Sequence, residues 1–265
     1  MAFRRLLRGS VDGSTLERVA REVAEGAGEP VESVRPLEAD NWLSTPVVVN
    51  DRYFLKVITA QNSLVHALLT TGRNLGVFSS GAAGFFEHYG TPLQMAEHER
   101  EATERMRDLG IQAPEPREAF EFEGLGVLVL EYLPGFETLD ELDRGQLEVV
   151  APALFDSLAR MHDAELVHGD LRAENVLVID GDLYFIDATK VREDAVAEAR
   201  AYDVACALAT LAPLLGARDA VRVAAERYDA DVLLAAEDFV DFVNLRPDHD
   251  FDAAAIKGAI EHQVD

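Results

Sequence analysis

Val167-His168-Gly169-Asp170-Leu171-Arg172-Ala173-Glu174-Asn175-Val176-Leu177-Val178, followed shortly by Tyr184-Phe185-Ile186-Asp187-Ala188, is the stretch on which the reading of this chain turns. Apolar, β-branched runs flank the turn pair Asp180-Gly181, so the predicted local structure is loop, strand, tight turn, strand. The five-residue step from Asp170 to Asn175 lets the loop turn back until both side chains face the same way. The hairpin then returns Asp187 beside Asn175. Two carboxylates and an amide oxygen gathered like this suit phosphoryl transfer. One carboxylate orients an attacking hydroxyl, while the other, with the amide, holds magnesium on nucleotide phosphates. Turn chemistry alone would account for any one Asp or Asn here, but not for the ordered set.

Outward from this segment the chain divides by texture. Toward the C-terminus it is mostly helical, with predicted helices at 144–163, 196–214, 218–227, 230–242 and 252–263. Toward the N-terminus, Ser14, Leu16, Val19 and Val23 have helical spacing, and Gly26-Ala27-Gly28 ends that run. Val47-Val48-Val49 and Tyr53-Phe54-Leu55 flank Asn50-Asp51, which predicts a β-hairpin with Lys56 on its second strand. A helix is expected over Glu97 to Leu109, stopped by Gly110 and by Pro114 and Pro116. A second strand pair follows around Glu123-Gly124. Its continuously apolar member, Gly126 to Leu130, reads as an inner strand. The expected fold is α+β and bilobal, with a small antiparallel β-rich first lobe and a mainly helical second lobe. The boundaries are 1–30 for a helical extension, 31–133 for the first lobe and 134–265 for the second. Residues 59–95, with five glycines and several aromatics, read as an insertion in the first lobe that folds over the cleft or binds a protein partner.

The loop resembles the catalytic loop of the protein-kinase superfamily, in the His-Gly-Asp form of atypical and small-molecule kinases. The resemblance extends over both lobes and implies ATP and Mg2+ as cofactors. Lys56, in Phe54-Leu55-Lys56-Val57, resembles the strand lysine that holds the nucleotide phosphates. Glu99 fits the helix glutamate that pairs with it, with Glu97, Glu101 and Glu104 as competitors. Glu131-Tyr132-Leu133 looks like the hinge whose backbone binds adenine, and Leu130 would line that pocket. Asp170 orients the acceptor, Asn175 and Asp187 hold the metal, and Arg172 sits where many kinases keep a lysine near the γ-phosphate. Asp203 resembles the helix aspartate that braces the catalytic loop, although a helix-capping role explains it as well. His168 reads as scaffold.

The pattern also departs from the superfamily. The turn Glu38 to Pro46 contains no glycine, so Ser44 and Thr45 become the candidate phosphate donors. Ile186-Asp187-Ala188 replaces the usual metal-site triplet, and no Ala-Pro-Glu signature follows it. The lack of a standard activation segment moves the resemblance toward RIO-type and KEOPS-type archaeal serine/threonine kinases, and the whole is similar to haloarchaeal kinase-like proteins. A small-molecule kinase of the aminoglycoside or lipopolysaccharide type shares the His-Gly-Asp-Leu motif and stays open, as does a pseudokinase scaffold. The acceptor is a protein or small-molecule hydroxyl. A metal-hydrolase reading of His168-x-Asp170 finds support only in His162-Asp163.

The 49 acidic and 24 basic residues give a net charge of −25, and only Lys56, Lys190 and Lys257 are lysines. Strongly hydrated carboxylates in place of lysines suit a salt-rich cytoplasm. The same balance argues against general nucleic-acid binding, because neutralising phosphates needs a concentrated basic face, and Phe3-Arg4-Arg5-Leu6-Leu7-Arg8 is too short to be one. No apolar run approaches the about 18 residues of a membrane span, so no membrane role and a cytoplasmic location are expected. Cys206, the single cysteine, sits in an apolar run and reads as a small buried hydrophobe.

Overall fold

Alternation along the strands sets the first layer of structure. The computed structural model describes residues 11–37, 44–63, 90–188, 196–245 and 250–265. Strands β1 (Val34–Pro36), β2 (Thr45–Val49), β3 (Tyr53–Ile58), β4 (Pro116–Phe122) and β5 (Leu125–Glu131) form an antiparallel sheet in the order β1-β2-β3-β5-β4. The β2–β3 turn places Asn50 and Asp51 at φ of 55° and 48°, the left-handed pair that a two-residue hairpin requires. Because side chains alternate between faces, Leu55 and Val57 of β3 and Val127 and Val129 of β5 point to one side, while Phe54, Ile58, Leu128 and Leu130 point to the other. Lys56 follows the parity of the second set.

A helix covers each face. Helix α1 (Gly13–Gly26) lays Leu16, Val19, Ala20 and Val23 on the Leu55 side. Each fully buried Leu or Val is worth about 1.5–3 kcal/mol over its exposed state, enough to hold this short helix in place. Helix α2 (Pro92–Asp108) lays Met95 and Ala96 on the other side. It begins at Pro92, five residues before the expected Glu97, with proline in the first helical position where its missing N–H costs nothing. The expected insertion is therefore shorter at its end, and a helix already begins at Ala60. Residues 64–89, the bulk of that insertion, and 38–43 of the expected phosphate-loop turn lie outside the described residues.

The described chain divides into two compact units. The first holds 11–37, 44–63, 90–104 and 114–134, and the second holds 105–113, 135–188, 196–245 and 250–265. In the second unit a three-stranded antiparallel sheet runs β6 (Glu137–Thr138), β7 (Val176–Ile179), β8 (Asp182–Phe185), with β6 an addition to the expected hairpin. Helices α3 (Arg144–Asp163), α4 (Val196–Leu215), α5 (Ala217–Ala224), α6 (Ala230–Asn244) and α7 (Ala253–Val264) lie close to their expected bounds. Helix α4 is apolar on nearly all sides and packs against α3, α5 and α6, as a central helix must. Cys206 lies fully buried within it. This antiparallel sheet unit and helical unit are the α+β composition expected from the sequence. No helix of the described residues is long and apolar enough to cross a membrane.

Candidate active site

In the first unit the sheet brings Lys56 under α2. Lys56 is only 4% exposed, and its ammonium pairs with the carboxylate of Glu99. Glu99 lies four residues after Met95 and three after Ala96, and these spacings put all three on the helix face that meets the sheet. Of the four glutamates open from sequence, Glu99 is therefore the one that reaches the buried face. Thr103 Oγ1 bonds the Glu99 carbonyl at 2.7 Å one turn later.

The segment after β5 has its backbone donors largely committed. Glu131 N–H bonds Glu115 O at 2.8 Å, and Tyr132 N–H bonds Arg52 O at 2.9 Å. The Glu131 carboxylate accepts from Glu115 N–H at 3.1 Å, so that side chain holds the β4 entry. Leu133 N–H makes no hydrogen bond among the described residues, which leaves it as the donor of the expected hinge. Leu130 is buried against Ile58, Met95 and Ala96. Tyr132 lies beneath Arg35, whose guanidinium is 5.6 Å from the ring centroid and which also pairs with Asp51. Thr45 is the first residue of β2, opposite Val57, and Ser44 just before it is buried.

In the second unit the loop after α3 is fixed from below by Asp203 of α4. Asp203 is fully buried; its Oδ2 accepts from His168 N–H at 2.6 Å and its Oδ1 from Gly169 N–H at 2.7 Å. Gly169 has φ of 75°, a left-handed conformation that suits glycine and turns successive amides onto one carboxylate. Asp203 is the eighth residue of α4, so bracing the loop, rather than capping the helix, is its structural role. From this anchored turn the chain continues to Asp170 and a short 3-10 turn, Ala173–Asn175. Asn175 Nδ2 reaches back to the Asp170 carbonyl at 2.8 Å, which closes the expected five-residue step. With its NH2 end so engaged, the amide turns its Oδ1 end to whatever it meets next. Ile186 N–H bonds Asn175 O at 3.1 Å, and Asp187 follows directly, half-buried, with φ of 62°. Asp tolerates this left-handed region better than most residues.

Arg172 pairs with both Asp170, at 3.4 Å, and Glu174, the acidic partner weighed from sequence. His168 is fully buried, packs at a tilt against Phe185 with ring centroids 6.1 Å apart, and is held below the usual imidazole range by that burial. A neutral ring packed in this way is scaffold. His162 has both nitrogens engaged, by Asp203 and by Tyr228, which removes the support for a metal-hydrolase reading. The part played by Tyr228 escaped sequence reasoning, since an isolated tyrosine in a turn carries no motif.

Taken by itself, the first unit carries a buried lysine paired with Glu99 and a backbone donor beside apolar Leu130. Taken by itself, the second carries Asn175 and Asp187, oxygen-bearing side chains of the hard kind magnesium prefers.

Residues 90–206 match the RIO domain. The KEOPS complex subunit Bud32 of Pyrococcus abyssi is 29% identical over 104 residues, 38% of this chain and 46% of that one. Serine/threonine-protein kinase 10-A of Xenopus laevis is 34% identical over 77 residues, 26% of this chain and 8% of that one. The chain thus spans about half or less of the length of the curated relatives it matches. Among solved structures, a Haemophilus somnus 129PT protein assigned as a fructosamine-3-kinase has the same fold, with a TM-score of 0.52 at 10% identity over 94% of this chain and 98% of that one. The RIO-domain match over 90–206, the Bud32 relative and the shared fold support an atypical RIO/KEOPS-type kinase-like protein.

Proposed function

We propose that the chain is an ATP- and Mg2+-dependent phosphotransferase, a RIO-like serine/threonine kinase that also works as an ATPase when no acceptor is present, acting in the cytoplasm. The observation that carries this reading is the buried Lys56–Glu99 pair. Taking an ammonium out of water is costly, and a core strand position has no structural need of one. A pair placed there is explained by a polyanionic ligand that the ammonium meets, with Glu99 holding the lysine in position.

Lys56 and Glu99 order the phosphates, Leu133 N–H receives the adenine, and Leu130 lines its pocket. Asn175 and Asp187 hold magnesium, which when bound neutralises phosphate charge and lines up the leaving group. Asp170 orients the acceptor hydroxyl. Arg172, drawn away from Asp170 and Glu174, offers its guanidinium to charge that develops on the transferred group. Ser44 and Thr45 serve as hydroxyl donors in place of glycine-loop amides.

The test is incubation with γ-labelled ATP and magnesium in molar potassium chloride. Label on the protein itself or on proteins of an added extract supports the kinase, and label released as free phosphate supports its ATPase form. Label on a sugar, aminoglycoside or lipid head would replace it by a small-molecule kinase, and no turnover at all would leave a pseudokinase.

A further inference from the structure

Beneath the loop that carries Asp170, a buried chain of polar groups extends farther than the loop itself needs. Asp203 lies 3.2 Å from His162 Nε2, and His162 Nδ1 lies 2.8 Å from the hydroxyl of Tyr228. Tyr228 sits in the turn after α5, almost fully buried. Phe155 meets its ring edge-on at 6.3 Å, and the Arg200 guanidinium lies 5.4 Å from its centroid. The ring is therefore fixed, and its hydroxyl has one place to point.

We infer that Tyr228 is a positioning residue: its hydroxyl holds His162 in the neutral form with the proton on Nε2, and through Asp203 this fixes the His168–Gly169 backbone ahead of Asp170. The argument is a count of donors and acceptors. A carboxylate only accepts, so the His162 nitrogen that faces Asp203 must carry a proton. In the neutral ring the other nitrogen is then an acceptor, and Tyr228 supplies the O–H it needs. In the doubly protonated ring Nδ1 would donate to Tyr228, and the tyrosine proton would need another acceptor. Among the described residues the Tyr228 hydroxyl has no hydrogen-bond partner other than His162. Burial raises the phenol well above its ordinary range despite the nearby Arg200, in keeping with a hydroxyl that donates. Asp203, held by His162 on one side, keeps both oxygens aimed at the two loop amides.

A phenylalanine at this position would fill the space and remove only the donor. The test is a long-range proton–nitrogen correlation spectrum of the 15N-labelled full chain, with amide exchange of His168 and Gly169, on wild type and Tyr228→Phe. Wild type is expected to show His162 Nε2 protonated and Nδ1 as an acceptor; a protonated Nδ1 overturns the inference, whether or not the variant folds. In Tyr228→Phe the single form should be lost and exchange of the two amides should quicken about tenfold, the equivalent of one lost hydrogen bond. Unchanged tautomer and exchange in the variant would reduce Tyr228 to packing and overturn the proposal. The kinetic arm rests on the phosphotransferase reading: kcat should fall about tenfold with KM for ATP unchanged, since the tyrosine touches no nucleotide. A wild-type chain with the expected tautomer but no phosphoryl transfer would refute that reading and support this one.

Discussion

Lys56 on β3 and Glu99 on α2 meet as a buried ion pair within the sheet unit, with side chains 5% and 17% exposed. Truncating either partner strands the other charge away from water. Glu99→Leu is expected to cost about 3 kcal/mol, because an uncompensated buried charge is worse than none. The double variant Lys56→Met with Glu99→Leu should recover most of that stability in urea unfolding while remaining inactive. A double variant as unstable as Glu99→Leu would show that the pair is structural.

Asp203 joins α4 to the loop through two backbone amides and one histidine. Asp203→Asn keeps the shape but presents an NH2 to one of those donors. We expect a loss of about 3 kcal/mol, as for buried bonds to a charged acceptor, together with a fall in kcat that exceeds any change in ATP affinity. Thermal unfolding and a nucleotide titration on the same preparation check both parts.

Gly126 on β5 lets the start of α2 approach the sheet. A Cβ added there would lie 2.2 Å from Pro92 O, a backbone atom that cannot swing aside. Gly126→Ala should therefore destabilise the protein by about 1–3 kcal/mol or more through displacement of the helix. A melting temperature equal to that of the wild type would contradict the described packing.

Asp12 caps α1, accepting from Thr15 N–H at 3.0 Å and from the hydroxyls of Ser14 and Thr15. These bonds hold its carboxyl well below the usual carboxylate range. A carboxyl with a lowered folded-state pKa stabilises the fold fully above its unfolded-chain value of about 3.9 and loses that contribution as pH falls further. Asp12→Ala should then lower the melting temperature at pH 7 and show a diminishing deficit below about pH 3.9. A deficit that grows on acidification would reverse the assignment.

Much of this molecule was legible because local rules and the global fold agree. Asn50-Asp51, Glu123-Gly124 and Asp180-Gly181 each supplied the left-handed turn their hairpin needed, and the apolar run Gly126 to Leu130 marked an inner strand. The step from Asp170 to Asn175 foretold a loop that closes on itself. Glu99 came from resemblance, although its spacing from Met95 and Ala96 carried the same answer in helix geometry. The start of α2 was missed because Pro92 was read with the glycine-rich stretch before it, when proline also opens helices. Asp203 stayed ambiguous until the structure placed it about two turns past the helix start. Tyr228 was illegible, since its partner His162 lies 66 positions away and only tertiary packing joins them.

The most direct measurement of the central claim is a calorimetric titration of ATP into the protein with and without magnesium, paired with turnover of the same samples. Wild type should bind one nucleotide in a magnesium-dependent way, Asp187→Ala should lose that binding, and Asp170→Ala should bind normally yet fail to turn over. A wild type that binds no nucleotide under either condition, or an Asp187→Ala chain that binds as well as wild type, would contradict it.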